Sequence, residues 1–243
     1  MPRQEAVKYR PEPDWTQDDT LLFTEPTAGP ALRKPAAKKA KTTRGFWLFN
    51  NVLLYMESEL ENRVSHYIAA RNDVQAIYSQ YPAALYHDAE GKLRCHIFDY
   101  YVVFKDGYRV AVAVKYHRKK EQMLEMLQQI RADGITGISK GKKLTPGVAD
   151  EVCLMTEEEA SIEVFENAQC ILDSRHHHDE AEFNLVYDIV SRLPGDFRFG
   201  ELLRNCAAHG KRRTAVFRLI DAGYLSPVSS GRIDDLTWLR FVG

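Results

Sequence analysis

The sequence of 243 residues has no long apolar run, no paired cysteines and no excess of charge of either sign. No stretch reaches the ~18 consecutive apolar residues that a membrane-spanning helix needs, so we expect no membrane partner. The first residues lack the apolar segment of a secretory signal, which predicts a cytoplasmic protein. Because 33 Lys and Arg residues face 34 Asp and Glu residues, no overall field draws the chain onto nucleic acid. Any DNA binding must come from local basic groups.

The four cysteines, Cys95, Cys153, Cys170 and Cys206, are scattered singly without a C-x-x-C pair. This spacing indicates neither a zinc site nor a disulfide framework, and we expect reduced, mostly buried thiols. Hydrophobic residues make up 44% of the chain and charged residues 28%. These values are close to soluble globular averages, which excludes a fibrous or wholly disordered protein. At roughly 150 residues per domain, the length allows one large or two small domains.

Composition divides the chain into four parts. Residues 1–44 combine repeated prolines with a basic run from Arg33 to Arg44, which predicts a disordered basic arm. Such an arm either binds a polyanion or only improves solubility. Residues 45–168 alternate strand and helix patterns and predict an α/β domain with a mixed sheet flanked by helices. Residues 169–178 are predicted to be a linker, and residues 179–243 carry three helical patterns and a return strand, typical of a winged-helix domain.

Within the α/β part, strand patterns cover residues 93–104 and 108–116, and the Lys105-Asp106-Gly107 segment between them predicts a hairpin. A three-residue loop would pair Phe104 with Tyr108 and place Asp99 opposite Ala113. A two-residue turn would instead place Asp99 opposite Val114. We predict the longer loop, with Gly107 at positive φ. Other predicted elements are a helix at about 59–71, a strand that bends at Pro82, a helix at 118–132, a strand at 151–155 and a short helix capped by Thr156.

Three charged residues are candidates for chemistry. Asp99 shares its predicted strand face with apolar residues such as Tyr101, so its carboxyl must be paired, bound to a cation or neutral. Lys115 lies near the end of the partner strand, and an acid and a lysine so placed are the skeleton of a metal-dependent phosphodiesterase site. Alternatively, Asp99 only forms a half-buried ion pair with Lys115 or His96. Glu61 follows Ser58 at the spacing of a capping box and has a purely structural alternative as well.

Six short motifs follow one another between about residues 50 and 160. They are Ser58-Glu-Leu-Glu61, the Val74 to Pro82 segment ending in Gln80-Tyr-Pro, Asp99-Tyr-Tyr-Val102, Ala113-Val-Lys115, the 118–132 helix and Cys153-Leu-Met-Thr-Glu157. In these motifs and their order the chain resembles the TnsA family, the endonuclease subunit of heteromeric bacterial transposases.

The resemblance implies a restriction-endonuclease-like fold in which Glu61 and Asp99 bind Mg²⁺ or Mn²⁺ and Lys115 is the catalytic lysine. It also implies double-stranded DNA as substrate, a transposase subunit of a different fold and an ATP-dependent regulator as partners, and a bacterial, nucleoid-associated location. The family's Gln or Glu two residues before the lysine is Ala113 here, whose methyl group cannot bind a metal. We therefore expect an endodeoxyribonuclease with weakened or lost metal binding.

Two alternatives stay open: a catalytically defective DNA-binding or assembly protein on the same fold, and a stand-alone restriction- or resolvase-type nuclease. In the C-terminal part, Lys211, Arg212 and Arg213 begin the third predicted helix, where basic side chains usually face a DNA groove. They are candidates for phosphate contact. A solvated helix start is the competing interpretation, because winged helices also serve as protein-docking modules.

Overall fold

A computed structural model describes residues 25–33, 44–138 and 144–243. Helices and strands alternate along most of the chain, which confirms the predicted α/β class. The strands are β1 (Gly45–Phe49), β2 (Val52–Met56), β3 (Val74–Ser79), β4 (Ala83–His87), β5 (Leu93–Ile97), β6 (Tyr100–Phe104), β7 (Arg109–Val114), β8 (Gly137–Ile138), β9 (Leu144–Thr145), β10 (Glu151–Met155), β11 (Phe197–Arg198), β12 (Leu225–Pro227) and β13 (Trp238–Phe241). The helices are α1 (Glu59–Ala70), α2 (Lys120–Ala132), α3 (Ile162–His176), α4 (Glu180–Val190) and α5 (His209–Asp221), with 3₁₀ turns at His117–Lys119 and Phe199–Leu203.

The central sheet has the strand order β10-β7-β6-β3 and is mixed, because β10 runs parallel to β7 while the other pairs are antiparallel. Its valine-rich strands are covered on both faces, as their continuous apolar runs require. One face packs on Leu60, Val64 and Ile68 of α1, and the other packs on Leu127 and Ile130 of α2. A second sheet has the order β5-β4-β8-β9.

The β6–β7 hairpin has the predicted register. Val103 pairs with Arg109, and the Phe104 N–H donates to the Tyr108 carbonyl at 2.9 Å, so Lys105 to Gly107 form a three-residue loop. Gly107 has φ +88°, in the left-handed region that this loop needs. The same register, continued beyond Tyr100, places Asp99 opposite Ala113. The prediction that the longer loop connects these strands is confirmed.

The predicted single strand over 93–104 is wrong, because the chain breaks at Phe98 and Asp99. β5 belongs to the second sheet and β6 to the central sheet. The Phe98 N–H donates to the Pro82 carbonyl and the Asp99 N–H donates to the Val112 carbonyl, so the chain crosses between sheets at this point. Asp99 therefore lies in the crossing rather than inside a long strand.

Two boundaries predicted from composition also differ from the structure. The arm prediction falls mostly on residues 1–24 and 34–43, which lie outside the described residues, but residues 25–33 contact the α/β unit. Thr27 bridges Val52, and the Leu32 N–H donates to the Gln80 carbonyl at 3.1 Å. The predicted linker 169–178 is mostly the second half of α3, which begins after the Ser161 cap rather than at Thr156. The segment after Thr156 is a turn, in which the Thr156 N–H donates to Glu159.

The C-terminal residues form a second hydrophobic core, in which Phe199, Val216 and Leu239 are fully or almost fully buried. A three-stranded sheet of order β11-β13-β12 lies beside the helices α4 and α5. Helix α3 leads from the α/β part to this part, and only three residues, 177–179, separate it from α4. Arg175, near the end of α3, donates to the Ala69 and Ala70 carbonyls at the end of α1 and also to the Asp221 carboxylate of α5.

All four cysteines carry free thiols, and Cys95 and Cys170 are exposed while Cys153 and Cys206 are partly buried. The expectation of mostly buried thiols is therefore wrong, since Cys95 lies on a strand of the second sheet that is largely open to solvent. Within the described ranges, no helix combines the length and the apolar character needed to cross a membrane.

Candidate active site

Backbone contacts from both neighbouring strands fix Asp99. Its N–H donates to the Val112 carbonyl at 3.1 Å, and its carbonyl accepts from the Gln80 N–H at 2.8 Å. Its carboxylate Oδ2 accepts from the Val114 N–H at 2.7 Å, and the residue is only 6% exposed. No described residue donates a hydrogen bond to Oδ1. The carboxylate is therefore buried and oriented, with one oxygen left for another ligand.

Lys115 directly follows β7, and its N–H donates to the Met155 carbonyl at 3.2 Å, which continues the pairing with β10. Its Nζ lies 3.8 Å from Asp99 Oδ2, and its side chain is 37% exposed. The alternative interpretation of Asp99 as half of an ion pair with Lys115 thus describes a real contact. The ion pair does not exclude a catalytic role, because one end of the pair faces solvent.

Glu61 lies in the first turn of α1 and takes part in its N-terminal cap, although its carboxylate accepts from the Glu57 N–H rather than from the Ser58 N–H of a capping box. Its N–H donates to Ser58 Oγ at 3.2 Å, while its Oε1 accepts from the same hydroxyl at 3.0 Å and its Oε2 accepts from the Glu57 N–H at 2.7 Å. The side chain is buried, since the residue is 6% exposed. Glu61 therefore does contribute to the cap of α1, which was its structural alternative. Capping alone does not explain why an acidic side chain is buried at this position.

The pKa values indicate that Glu61, Asp99 and Lys115 lie close enough to interact. Burial first, and then the negative charge of Asp99, raise the pKa of Glu61 from 4.5 to about 7, against the lowering effects of the Glu57 N–H, the Ser58 hydroxyl and the Lys115 ammonium. Burial also raises the pKa of Asp99, and Lys115 opposes this rise. Two buried acids share one lysine, so a proton or a further cation is favoured here.

The donor set fits a loosely held divalent cation. Mg²⁺ prefers oxygen ligands and keeps several waters, so two carboxylates are enough to bind it weakly. Ala113 lies beside Asp99 and is fully buried, but its methyl group offers no ligand. Among the described residues, no group of three or more His, Cys, Asp or Glu side chains is placed to hold a metal ion. Any cation would therefore depend on Glu61, Asp99 and water.

Two further residues near Asp99 carry buried polar atoms: Gln80, which belongs to one of the family motifs, and His96, the alternative ion-pair partner of Asp99. Gln80 is fully buried, and no described residue forms a hydrogen bond with its Oε1 or its Nε2; its backbone has φ +54°. Burial, and then the charge of Lys115, lower the pKa of His96 to about 4, and its buried Nε2 has no partner. No ion pair within the described ranges joins His96 to Asp99, so that alternative is wrong. Pairing of β3 with β6 places Gln80, and pairing of β4 with β5 in the second sheet places His96.

The segment at residues 25–33 contributes a charged pair at this end of the sheet. Arg33 binds Glu57 at 2.9 Å, and both charges affect the pKa of Asp99, the first by lowering it and the second by raising it. Arg33 lies in the segment predicted to be a disordered arm. Its partner Glu57 lies just before α1, 24 residues later in the chain, so the contact could not be predicted from composition.

The three basic residues at the start of α5 are already paired with acids. Arg212 is buried; its Nε binds Glu182 of α4, and its second nitrogen donates to the Leu202 carbonyl at 3.0 Å. Two of the three Arg212 nitrogens therefore donate inside the protein, which argues against the predicted DNA contact of this residue. Lys211 binds Asp179 and Arg213 binds Asp235, but both side chains are well exposed. Surface pairs of this kind contribute little stability and exchange readily, so these two residues keep donors for phosphate.

Comparison of the chain with models of known protein families gives no match. No protein of curated function matches the sequence either.

Proposed function

We propose that this chain is a TnsA-like, metal-dependent DNA endonuclease subunit of a heteromeric transposase, which cleaves phosphodiester bonds at transposon ends. In this proposal residues 45–168 adopt a restriction-endonuclease-like fold and residues 179–243 form a winged-helix domain. The observation that carries it is a pair of buried acids, Glu61 and Asp99, whose charges influence each other, with Lys115 Nζ 3.8 Å from Asp99. Asp99 lies just before β6 and Lys115 just after β7, at the same end of the hairpin. The mixed sheet and the hairpin register support the same interpretation.

The residues have distinct roles in this mechanism. Asp99 and Glu61 hold Mg²⁺ or Mn²⁺, which when bound polarises a phosphate and acidifies a water. The Val114 N–H keeps the Asp99 carboxylate in place through Oδ2. Lys115 Nζ, 3.8 Å from that oxygen, is placed to orient the attacking water or to take its proton. The exposed part of Lys115 faces the side from which DNA would approach.

A second candidate function has its own observation in favour. Ala113 fills the position beside Asp99, and both oxygens of Glu61 already accept hydrogen bonds from the helix cap. A subunit that binds DNA or assembles with partners without cutting would be consistent with both facts. A stand-alone restriction- or resolvase-type nuclease is the third candidate, and neighbouring genes would separate it from a transposase subunit. The transposase and ATP-dependent regulator rest on the family resemblance, and so does nucleoid association.

Plasmid nicking in Mn²⁺ tests the catalytic proposal. We expect the unaltered protein to nick supercoiled DNA and Asp99→Asn to reduce the rate at least 100-fold, since the metal would lose its best-placed ligand. Asp106→Asn is the matched control, because Asp106 lies at the other, exposed end of the same hairpin. Equal nicking by the unaltered protein and Asp99→Asn would rule out the proposed site. DNA binding with no nicking at all would favour the assembly protein.

A further inference from the structure

A crevice of about 500 Å³ opens between the loop of the β6–β7 hairpin and the helices α3 and α5. Its charged lining residues are Arg71, Lys105, Arg175, Arg218 and Asp221. This volume is within the range of pockets that accommodate small ligands. Lys105 follows β6 whereas Asp99 precedes it, so at about 3.4 Å per residue the two lie roughly 20 Å apart. The crevice is therefore separate from the candidate active site.

The crevice concentrates positive charge in a chain whose net charge is -1. Among the described residues that line it, four are cationic and Asp221 is the single acid. Asp73, at its edge, binds Arg71 and neutralises that residue. Two positive charges remain in a concave site, and concavity with low-dielectric walls focuses the field of such charges.

Several donors in the crevice are available to a ligand. Arg175 is not among them, because Asp221, Asn72 and two helix carbonyls occupy its guanidinium. Arg218 uses one terminal nitrogen to bind Asp221 and its Nε is buried, but no described residue occupies its other terminal nitrogen, and the side chain is 25% exposed. Lys105 is exposed, and no carboxylate within the described ranges pairs with its ammonium. A flexible lysine beside a guanidinium with an unused N–H is the kind of donor set that binds phosphate oxygens.

We propose that this crevice binds a phosphate group, with Lys105 and Arg218 as the residues that contact it and Arg175 as the fixed wall behind them. The phosphate comes from the backbone of double-stranded DNA or from a small phosphate-bearing molecule. The DNA source rests on the proposed function, since it gives the duplex a second contact roughly 20 Å from Asp99. The phosphate chemistry itself does not require cleavage.

Charge reversal at Lys105 tests the proposal without disturbing the fold, because this side chain is exposed and outside the Arg175–Asp221 contacts. Lys92→Glu is the matched control, since Lys92 is an exposed lysine at the tip of the β4–β5 hairpin and changes the total charge equally. Binding of a labelled duplex is measured in EDTA over a salt series, and the unfolding temperature is measured in inorganic phosphate and in chloride of equal ionic strength. Because EDTA removes the metal that cleavage requires, this experiment measures binding alone. A negative result would overturn the phosphate site without bearing on the nicking test of Asp99→Asn.

We expect Lys105→Glu to weaken duplex binding at least fivefold more than Lys92→Glu and to lower the slope of log K against log salt by about 1, because one phosphate contact is lost. That result supports the DNA source. If phosphate stabilises the unaltered protein but not Lys105→Glu, and duplex binding is unchanged, the ligand is a small phosphate-bearing molecule. If Lys105→Glu and Lys92→Glu behave alike in both measurements, the crevice has only a structural role and the proposal is overturned.

Discussion

The Asp99 end of the central sheet and the start of α5 both carry charged residues that the sequence singles out, and the structure treats them differently. At the sheet, two buried acids lie near one lysine, and the pKa of Glu61 is raised to about 7, first by burial and then by the negative charge of Asp99. At α5, each cation has its own acid within the same unit. An imbalance of buried charge points to a missing ligand, whereas a balanced set describes a structural contact.

We expect the largest effect from removing a buried cation of α5 whose charge is paired with an acid. Arg212→Ala leaves Glu182 and the Leu202 carbonyl without their donor in a nearly dry position, so we expect a loss of about 4 kcal/mol in the free energy of unfolding. Urea denaturation measures it, and Arg213→Ala, whose pair is exposed, is the control. A loss no larger than that of Arg213→Ala would contradict the structural role of Arg212. DNA binding by the folded fraction should keep its salt slope.

At the Asp99 end of the sheet, we expect substitutions to change the rate of DNA nicking more than the stability of the fold. Lys115→Ala removes the group that orients or deprotonates the water, and such groups contribute 10²- to 10⁴-fold, so we expect nicking in Mn²⁺ to fall at least ~100-fold. Lys211→Ala should change the rate only a few-fold, through weaker DNA binding, because its charge takes no part in the chemical step. Similar rates for the two variants would remove the distinction between the two regions.

The charge of Glu61 predicts a pH dependence of stability. Its folded pKa of about 7 lies above the ordinary 4.5, so the folded state binds the proton more tightly and loses stability as pH rises from about 4.5 through 7. Glu61→Gln removes this loss, and it should be more stable than the unaltered protein at pH 8 by on the order of 2 kcal/mol, with a smaller difference at pH 5. Thermal unfolding at both pH values measures this, and Mn²⁺ should stabilise only the unaltered protein at pH 8.

The smallest effect concerns the exposed pair of cations on α5. Lys211→Ala and Arg213→Ala should each lower the slope of log K against log salt for duplex binding by about 0.9 if each contacts one phosphate. Affinity should fall only a few-fold per residue, because each side chain must also leave its acid. A slope that does not change in the double variant would assign this helix to protein docking.

The features that could be predicted from the sequence are those whose determinants lie close together along the chain. The hairpin register follows from three loop residues ending in Gly107, and the start of α1 follows from Ser58 and its partner three residues later. Both signals lie within one turn of chain. They also place Asp99 beside Ala113 and bring Glu61 to the first turn of α1, so most of the candidate site was predictable.

What could not be predicted depends on distant partners. The alternating pattern of 93–104 continues through Phe98 and Asp99, although pairing with β4 on one side and β7 on the other divides it. Arg212 has the spacing of an exposed helix start, and only Glu182, 30 residues earlier, explains its burial. The polar stretch before α4 reads as a linker, although contacts of Arg175 with α1 and α5 hold it in α3.

The continuity of α3 has a mechanical consequence. A helix of 15 residues is about 22 Å long and has no hinge, and Arg175 fixes its far end to both α1 and Asp221. A ligand bound by the C-terminal part would therefore lie at a fixed distance and in a fixed orientation relative to Asp99. One residue inserted into α3 would shift the C-terminal part along the helix axis by about 1.5 Å and rotate it about that axis by roughly 100°. The orientation of the C-terminal part relative to the α/β part therefore depends on the number of residues in α3.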